Sequence, residues 1–180
     1  MTVADLQMFY TLDGRIHNRV EKICDALDLR QKYRIDVLVL KRTLLIRCFD
    51  RRDNIAAELE LSHARFASEH YLIWAKTLWE KRPDTYPIKE DRLEMTVAEL
   101  MLFYRLQDEI SRRAEKLGDS LTMPPGSYPL SAVTAHGVVT QVYDGRDKKR
   151  ERLELTYEQF VSKDYIKIAR NKWKTILGTA

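Results

Sequence analysis

Residues 1–12 read MTVADLQMFYTL, and residues 95–106 read MTVAELMLFYRL, which is the same motif at an offset of 94 positions. The offset holds without a gap to the end of the sequence, and 27 of the 86 aligned pairs are identical. A repeat of this length predicts a duplicated domain rather than a short solenoid unit. The boundaries that we predict are a first repeat at 1–87, a linker at 88–94 and a second repeat at 95–180.

Each repeat opens with a helix-start signal. In Thr96-Val97-Ala98-Glu99 the hydroxyl accepts a backbone N–H while the carboxylate reaches back, which is a capping box, and Thr2-Val3-Ala4-Asp5 is its shorter-armed counterpart. Apolar residues then recur at alternating steps of three and four, a period typical of helices. We predict long helices over 2–28 and 96–121.

Strand patterns follow after a breaker region. The predicted strands are 35–40 and 44–49 in the first repeat, and 130–134 and 138–143 in the second. DRRD at 50–53 and DGRD at 144–147 predict hairpin turns, since Asp-Gly is a strong turn signal. A third strand in each repeat then alternates buried leucines (Leu59 and Leu61, Leu153 and Leu155) with charged residues.

Ser62 and Thr156 are typical caps for a closing helix in each repeat. Each half is therefore predicted as a helix, an antiparallel three-stranded meander and a helix, which is the α+β class. Two such halves are expected to pack on each other and to be related by a pseudo-twofold axis, as in a homodimer.

The composition narrows the class of protein. The net charge is +4 and the sequence pI is near 9.0. Acidic residues are interspersed almost throughout, which argues against a surface that binds polyanions non-specifically. No run approaches the ~18 apolar residues of a membrane span, and no secretory signal is evident. Cys24 and Cys48 have no counterparts in the second repeat, so we interpret them as buried free thiols in a reducing cytoplasm.

Catalytic motifs are not found in the sequence. His63 and His70 are seven positions apart on one predicted helix, about 10 Å, which is too far to share a metal ion, so we interpret them as surface histidines. The pairs Asp50/Asp53 and Asp144/Asp147 are interpreted as turn residues that bond nearby backbone N–H groups. No catalytic residue, metal ion or cofactor is predicted.

The strongest binding candidate is the tip of the second hairpin, where Arg146, Lys148, Lys149, Arg150 and Arg152 fall within seven positions. Arg51 and Arg52 are the basic residues of the first tip. Basic hairpins contact phosphates in β-ribbon nucleic-acid readers, but lysine and arginine also discourage edge pairing at a solvated turn. Trp79 and Trp173 recur near the end of the closing helix beside basic residues, which suits a partner interface.

These features favour a non-enzymatic binding protein that presents two similar interaction surfaces to a protein partner. Adaptors, inhibitors and assembly components are of this kind, and small duplicated examples occur among phage and mobile-element accessory proteins. The alternative is a nucleic-acid-binding protein that uses the basic hairpin at 144–152. A third hypothesis, an enzyme of unrecognised type, requires a concave pocket with converging polar groups.

Overall fold

A computed structural model describes residues 1–81 and 95–178 of the chain. The elements of the first repeat are α1 (Val3–Ala26), β1 (Arg34–Val39), β2 (Thr43–Phe49), β3 (Ile55–Ser62), α2 (His63–Ala67) and α3 (Tyr71–Trp79). The second repeat has α4 (Val97–Ser120), β4 (Tyr128–Thr134), β5 (Gly137–Tyr143), β6 (Lys149–Thr156), α5 (Tyr157–Val161) and α6 (Tyr165–Ile176). The predicted boundary at 87 and the predicted linker at 88–94 lie outside the described residues.

The two sheets are antiparallel meanders with strand orders β1-β2-β3 and β4-β5-β6. The predicted α+β class is therefore confirmed. One face of each sheet is buried, because residues such as Leu59 and Leu61, or Leu153 and Leu155, alternate with exposed charged residues. The alternation predicted for the third strand of each repeat is confirmed.

Residues 11–105 form one compact unit, and residues 1–10 together with 106–180 form another. We call them the first unit and the second unit. Each unit contains the first turns of the other repeat's long helix. In the first unit Arg15 donates to Glu99 at 2.7 Å, and in the second unit the amino group of Met1 lies 3.0 Å from Glu109.

The predicted caps of the long helices are present. The Thr2 hydroxyl accepts from the N–H of Asp5 at 3.2 Å, and the Asp5 carboxylate accepts from the N–H of Thr2 at 2.7 Å. Thr96 and Glu99 repeat the exchange at 3.1 and 2.7 Å. These reciprocal bonds satisfy N–H groups that have no partner inside the helix.

The closing helix of each repeat is two helices, and the prediction of a single one is wrong. Ser68 and Ser162 adopt extended backbone with ψ of 149° and 150°, which ends α2 and α5 after five residues. Arg19 donates to the carbonyl oxygens of Phe66 and Ser68 at 2.6 and 3.1 Å, and the Ser68 oxygen also accepts from the N–H of Tyr71. Arg113 donates in the same way to the carbonyls of Phe160 and Ser162 at 2.7 and 2.9 Å. We call each arginine with its two carbonyls an arginine clamp.

Both cysteines are buried free thiols in the first unit, as predicted. Burial raises the pKa of Cys48 to about 11, and it also raises the pKa of Cys24. Because the thiolate is the reactive form, both side chains act as small apolar core residues at neutral pH.

Candidate functional site

A cleft of about 310 Å³ opens between α4 and β4 in the second unit. Its helix side is formed by Ser111, Ala114, Glu115 and Asp119, and its strand side by Pro129, Leu130 and Ser131. Leu130 is 56% exposed. The carboxylates of Glu115 and Asp119 give the cleft an ionic means of recognition, and the exposed Leu130 side chain on the opposite face of β4 gives the strand an apolar one.

The first unit has the corresponding cleft, of about 240 Å³, between α1 and β1. Six of the residues that line the first cleft lie 94 positions before residues that line the second. His17, Val20 and Glu21 correspond to Ser111, Ala114 and Glu115, and Ile35, Asp36 and Val37 correspond to Pro129, Leu130 and Ser131. We call both of them helix–strand clefts. The same local architecture therefore produces a cleft at the same place in each unit.

The strand side of each cleft is the edge of a sheet. Among the described residues β4 pairs with β5 alone, and Thr134 and Gly137 close their two-residue hairpin. Because bonded and non-bonded pairs alternate along an antiparallel ladder, residues 130, 132 and 134 bond to β5 while 129, 131 and 133 turn their backbone groups outward. In β1 the alternation starts from the hydrogen bond that the Leu40 N–H donates to the Thr43 carbonyl at 2.8 Å. It places the backbone groups of residues 35, 37 and 39 outward.

The two edges differ in how their outward N–H groups are satisfied. In β1 the Asp36 carboxylate accepts the outward N–H of Val37 at 2.9 Å. Leu130 occupies the matching position in β4 and has no acceptor to offer to the N–H of Ser131. Pro129 carries no N–H, so the outer edge of β4 offers donors at Ser131 and Val133. One outward N–H of the first edge is therefore capped by a side chain, and the residue at the matching position of the second edge provides no such cap.

The clefts also differ in charge. Arg30 lies 2.9 Å from Glu21 and 3.9 Å from Asp25 in the first unit. Pro124 replaces this arginine in the second repeat. Within residues 1–81 and 95–178, Glu115 and Asp119 have no ion-pair partner. Two carboxylates at the first cleft are therefore paired with an arginine, whereas the matching two at the second have no ion-pair partner in the described part of the chain.

The predicted basic hairpin of the second unit borders a separate cleft of about 390 Å³. Arg146, Lys148 and Arg150 line it together with Pro125 and Gly126. Two of the five basic side chains are already paired: Arg150 donates to Asp144 at 2.8 and 3.0 Å, and Arg152 lies 2.6 Å from Glu154. In the described part of the chain no ion pair involves Arg146, Lys148 or Lys149, so three charges are available to an anion.

Asp50 and Asp144 are turn residues, as predicted. Asp50 accepts from the N–H groups of Arg52 and Asn54 at 2.7 and 3.0 Å, and Asp144 accepts from those of Arg146 and Lys148 at 2.8 and 3.0 Å. These backbone hydrogen bonds lower the pKa of both carboxyl groups. Arg51 and Arg52 are exposed at the tip of the first unit's hairpin.

The two matched tryptophans differ in exposure. Trp173 is only 2% exposed, and its indole Nε1 donates to the Thr122 carbonyl at 2.8 Å, so it belongs to the core of the second unit. Trp79 is half-buried at the end of α3. Of the two, only Trp79 has a surface that a partner can touch.

His63 is only 3% exposed, and its interpretation as a surface histidine is wrong. The residue begins α2 and packs inward at the β1–β2 hairpin. Among the described residues its Nε2 has no hydrogen-bond partner. Burial lowers the pKa of His63, while hydrogen bonding to the backbone of Leu40 and Thr43 partly offsets this effect. Tyr157 takes the matching place in the second unit and donates its hydroxyl to the Thr134 carbonyl.

Acidification is expected to destabilise the first unit through His63. Because the folded-state pKa is below the unfolded value of about 6.5, the unfolded chain binds the proton more readily, and stability falls as the pH drops below about 6.5. Thermal unfolding followed between pH 7.5 and 5.5 checks this, with His63→Tyr as the matched variant that copies the second repeat. An equal loss of melting temperature in the variant and the parent would exclude His63 as the source.

Comparison of the chain with protein-family models, with curated proteins and with solved structures gives no match. Within the described residues no group of three or more His, Cys, Asp or Glu side chains is placed to hold a metal ion. No helix in the same part of the chain is long and apolar enough to cross a membrane.

Proposed function

We propose that the chain is a non-enzymatic protein that binds protein partners through its helix–strand clefts, as an adaptor, inhibitor or assembly component. The observation that carries the proposal is the recurrence of one cleft, at matched positions, in both units. Edges of sheets beside a groove are a common place for peptide recognition because they combine backbone bonding with side-chain pockets.

The proposal includes an origin by duplication. Identical residues at an offset of 94, the repeated element order and the two arginine clamps support it. The pseudo-twofold relation of the halves stays a prediction. Two buried free thiols support a reducing compartment, and we propose the cytoplasm.

A peptide selection on the full chain tests the proposal. Peptides selected from a random display library are synthesised and titrated into the parent chain, into Glu115→Lys with Asp119→Lys, and into the matched variant Glu21→Lys with Asp25→Lys. We expect one of the two charge reversals to weaken binding by roughly tenfold, since each changes the charge at one of the two clefts and so alters its complementarity to the selected peptide. Unchanged affinity in both variants, or no selected peptide, would contradict cleft-mediated binding.

A second candidate function, nucleic-acid binding, is supported by the cleft beside the basic hairpin. Arg146 and Lys148 line it, and Lys149 adds a third charge without an ion-pair partner among the described residues. Fluorescence anisotropy with labelled single- and double-stranded oligonucleotides tests it at low and moderate salt. Binding is expected to weaken steeply with salt, because released counterions drive phosphate contacts, and to be lost in Lys148→Glu with Lys149→Glu. Absence of binding at low salt would remove this function.

A further inference from the structure

We propose that β4 of the second unit binds an extended peptide by strand addition, and that this peptide alternates basic and apolar side chains. The inference rests on the proposed function and names the ligand of one of its two clefts. It follows from three properties of this edge: unpaired backbone groups, two differently lined sides, and an excess of negative charge.

The backbone groups of β4 suit an added strand. Residues 131 and 133 present both N–H and C=O outward. At the end of β4 that lies near the β5–β6 turn, Pro129 has no N–H to donate. Ser131 and Ala132 are exposed, so the middle of the edge is accessible. An incoming strand extends the sheet by satisfying these groups, as in other complexes formed by strand addition.

The two sides of the edge predict an alternating peptide. Ser131 lies opposite Thr140, and Val133 lies opposite Val138. Because Thr140 and Val138 are buried, the odd-numbered residues of β4 lie on the sheet face that carries the helices. On that side Glu115 and Asp119 line the cleft. Leu130 belongs to the opposite, open face. Because successive side chains of an added strand point to opposite faces, alternate positions meet the carboxylates and the remainder lie beside Leu130.

Charge complementarity selects the occupant. The two carboxylates of this cleft have no ion-pair partner in the described part of the chain, so basic side chains of a partner satisfy them. A second copy of the chain that paired through its own β4 would bring YPLSAVT, which contains no charged residue. A basic, extended segment of another protein is therefore the better match.

The corresponding edge of the first unit has one capped N–H and paired carboxylates. Asp36 caps the outward N–H of Val37, and Arg30 pairs with Glu21 and Asp25 on α1. Both residues are replaced in the second repeat, by Leu130 and Pro124. The two changes act together, because one removes the cap on the middle of the edge and the other removes the ion pairs of the cleft carboxylates.

The test uses the full chain and a synthetic peptide of roughly ten residues that alternates lysine and valine, long enough for an average strand. Ser131→Pro removes an outward N–H that β5 does not use, and Pro129 already shows that an outward position of this strand accepts proline. Ser131→Val is the matched control, since it also removes the hydroxyl bond to Thr140 but keeps the N–H.

We expect Ser131→Val to bind the peptide like the parent chain and Ser131→Pro to bind at least roughly tenfold more weakly. Tryptophan fluorescence during thermal unfolding checks that both variants remain folded. Equal affinity of the two folded variants would overturn strand addition. If the Glu115 and Asp119 reversals still weakened binding in that case, the proposed function would stand without this inference.

Changes to the peptide test the inference without altering the protein. Methylation of every second backbone amide in one of the two possible phases is expected to abolish binding, while methylation in the other phase is tolerated, because only alternate amides face β4. Tolerance of both phases would overturn the inference, as would tight binding of a peptide that alternates glutamate and valine. A dimer of the full chain that Ser131→Pro dissociates would also overturn it, because a second copy would then be the occupant.

Discussion

Replacement of Arg19 with methionine is expected to lower the free energy of unfolding of the first unit by about 3 kcal/mol, because the buried Phe66 carbonyl loses the guanidinium donor and the Ser68 carbonyl keeps only the N–H of Tyr71. Arg19 is only 4% exposed. Its guanidinium lies 4.3 Å from the ring centroid of Tyr71, and this contact is lost as well. Methionine fills part of the volume, so the loss reports mainly the polar contacts.

Urea unfolding followed by tryptophan fluorescence measures this loss. Arg19→Lys is expected to restore little, because an ammonium lacks the planar fork of a guanidinium. Arg51→Met, at an exposed hairpin tip, is the control and is expected to change stability by less than about 0.5 kcal/mol. Arg113→Met should cost less than Arg19→Met, since Arg113 is only half-buried. Equal unfolding curves for Arg19→Met and the parent would show that the clamp contributes nothing.

The combined change of Arg30→Ala with Asp36→Leu is expected to raise the peptide stoichiometry from one to two per chain. The first change frees Glu21 and Asp25 from their ion pairs. The second removes the carboxylate that caps the Val37 N–H and places a leucine where the second repeat has Leu130. The first cleft then lacks both the cap on its edge and the ion pairs to its carboxylates, as the second cleft does in the described part of the chain.

Isothermal titration with the alternating lysine–valine peptide measures the stoichiometry. Arg30→Ala alone is the control, since it removes the ion pairs but leaves the Val37 N–H capped, and it is expected to keep a stoichiometry of one. A stoichiometry of one in the combined variant as well would show that Asp36 and Arg30 do not account for the difference between the units.

Much of the fold is encoded in local patterns. The capping residues Thr2 and Thr96 and the acids that follow them predicted the helix starts, and Asp50 and Asp144 predicted the hairpin turns, because these signals act over four or five residues. The alternation around Leu59 and Leu153 predicted the buried face of each third strand for the same reason.

The features that depend on distant residues were not predictable in this way. The end of α2 at Ser68 depends on Arg19, which is 49 positions away. The burial of His63 depends on the β1–β2 hairpin against which it packs. Neither contact leaves a signal in the sequence around Ser68 or His63.

The difference between the clefts is visible in the sequence once the fold is known. Arg30 aligns with Pro124 and Asp36 aligns with Leu130, but only the strand register shows that Asp36 caps an outward N–H. The basic hairpin was predictable because its charges are contiguous in the sequence. The acidic cleft was not predictable, because Glu115 and Asp119 belong to a helix, whereas Leu130 and Ser131 belong to a strand.

Amide hydrogen exchange by nuclear magnetic resonance tests strand addition most directly. With the lysine–valine peptide at saturation, the account predicts slower exchange at Ser131 and Val133, whose N–H groups face outward. Leu130 and Ala132 already bond to β5 and serve as internal references, because their exchange is expected to change far less. Unchanged exchange at Ser131 and Val133 with the peptide bound would contradict the assignment of this edge as the binding site.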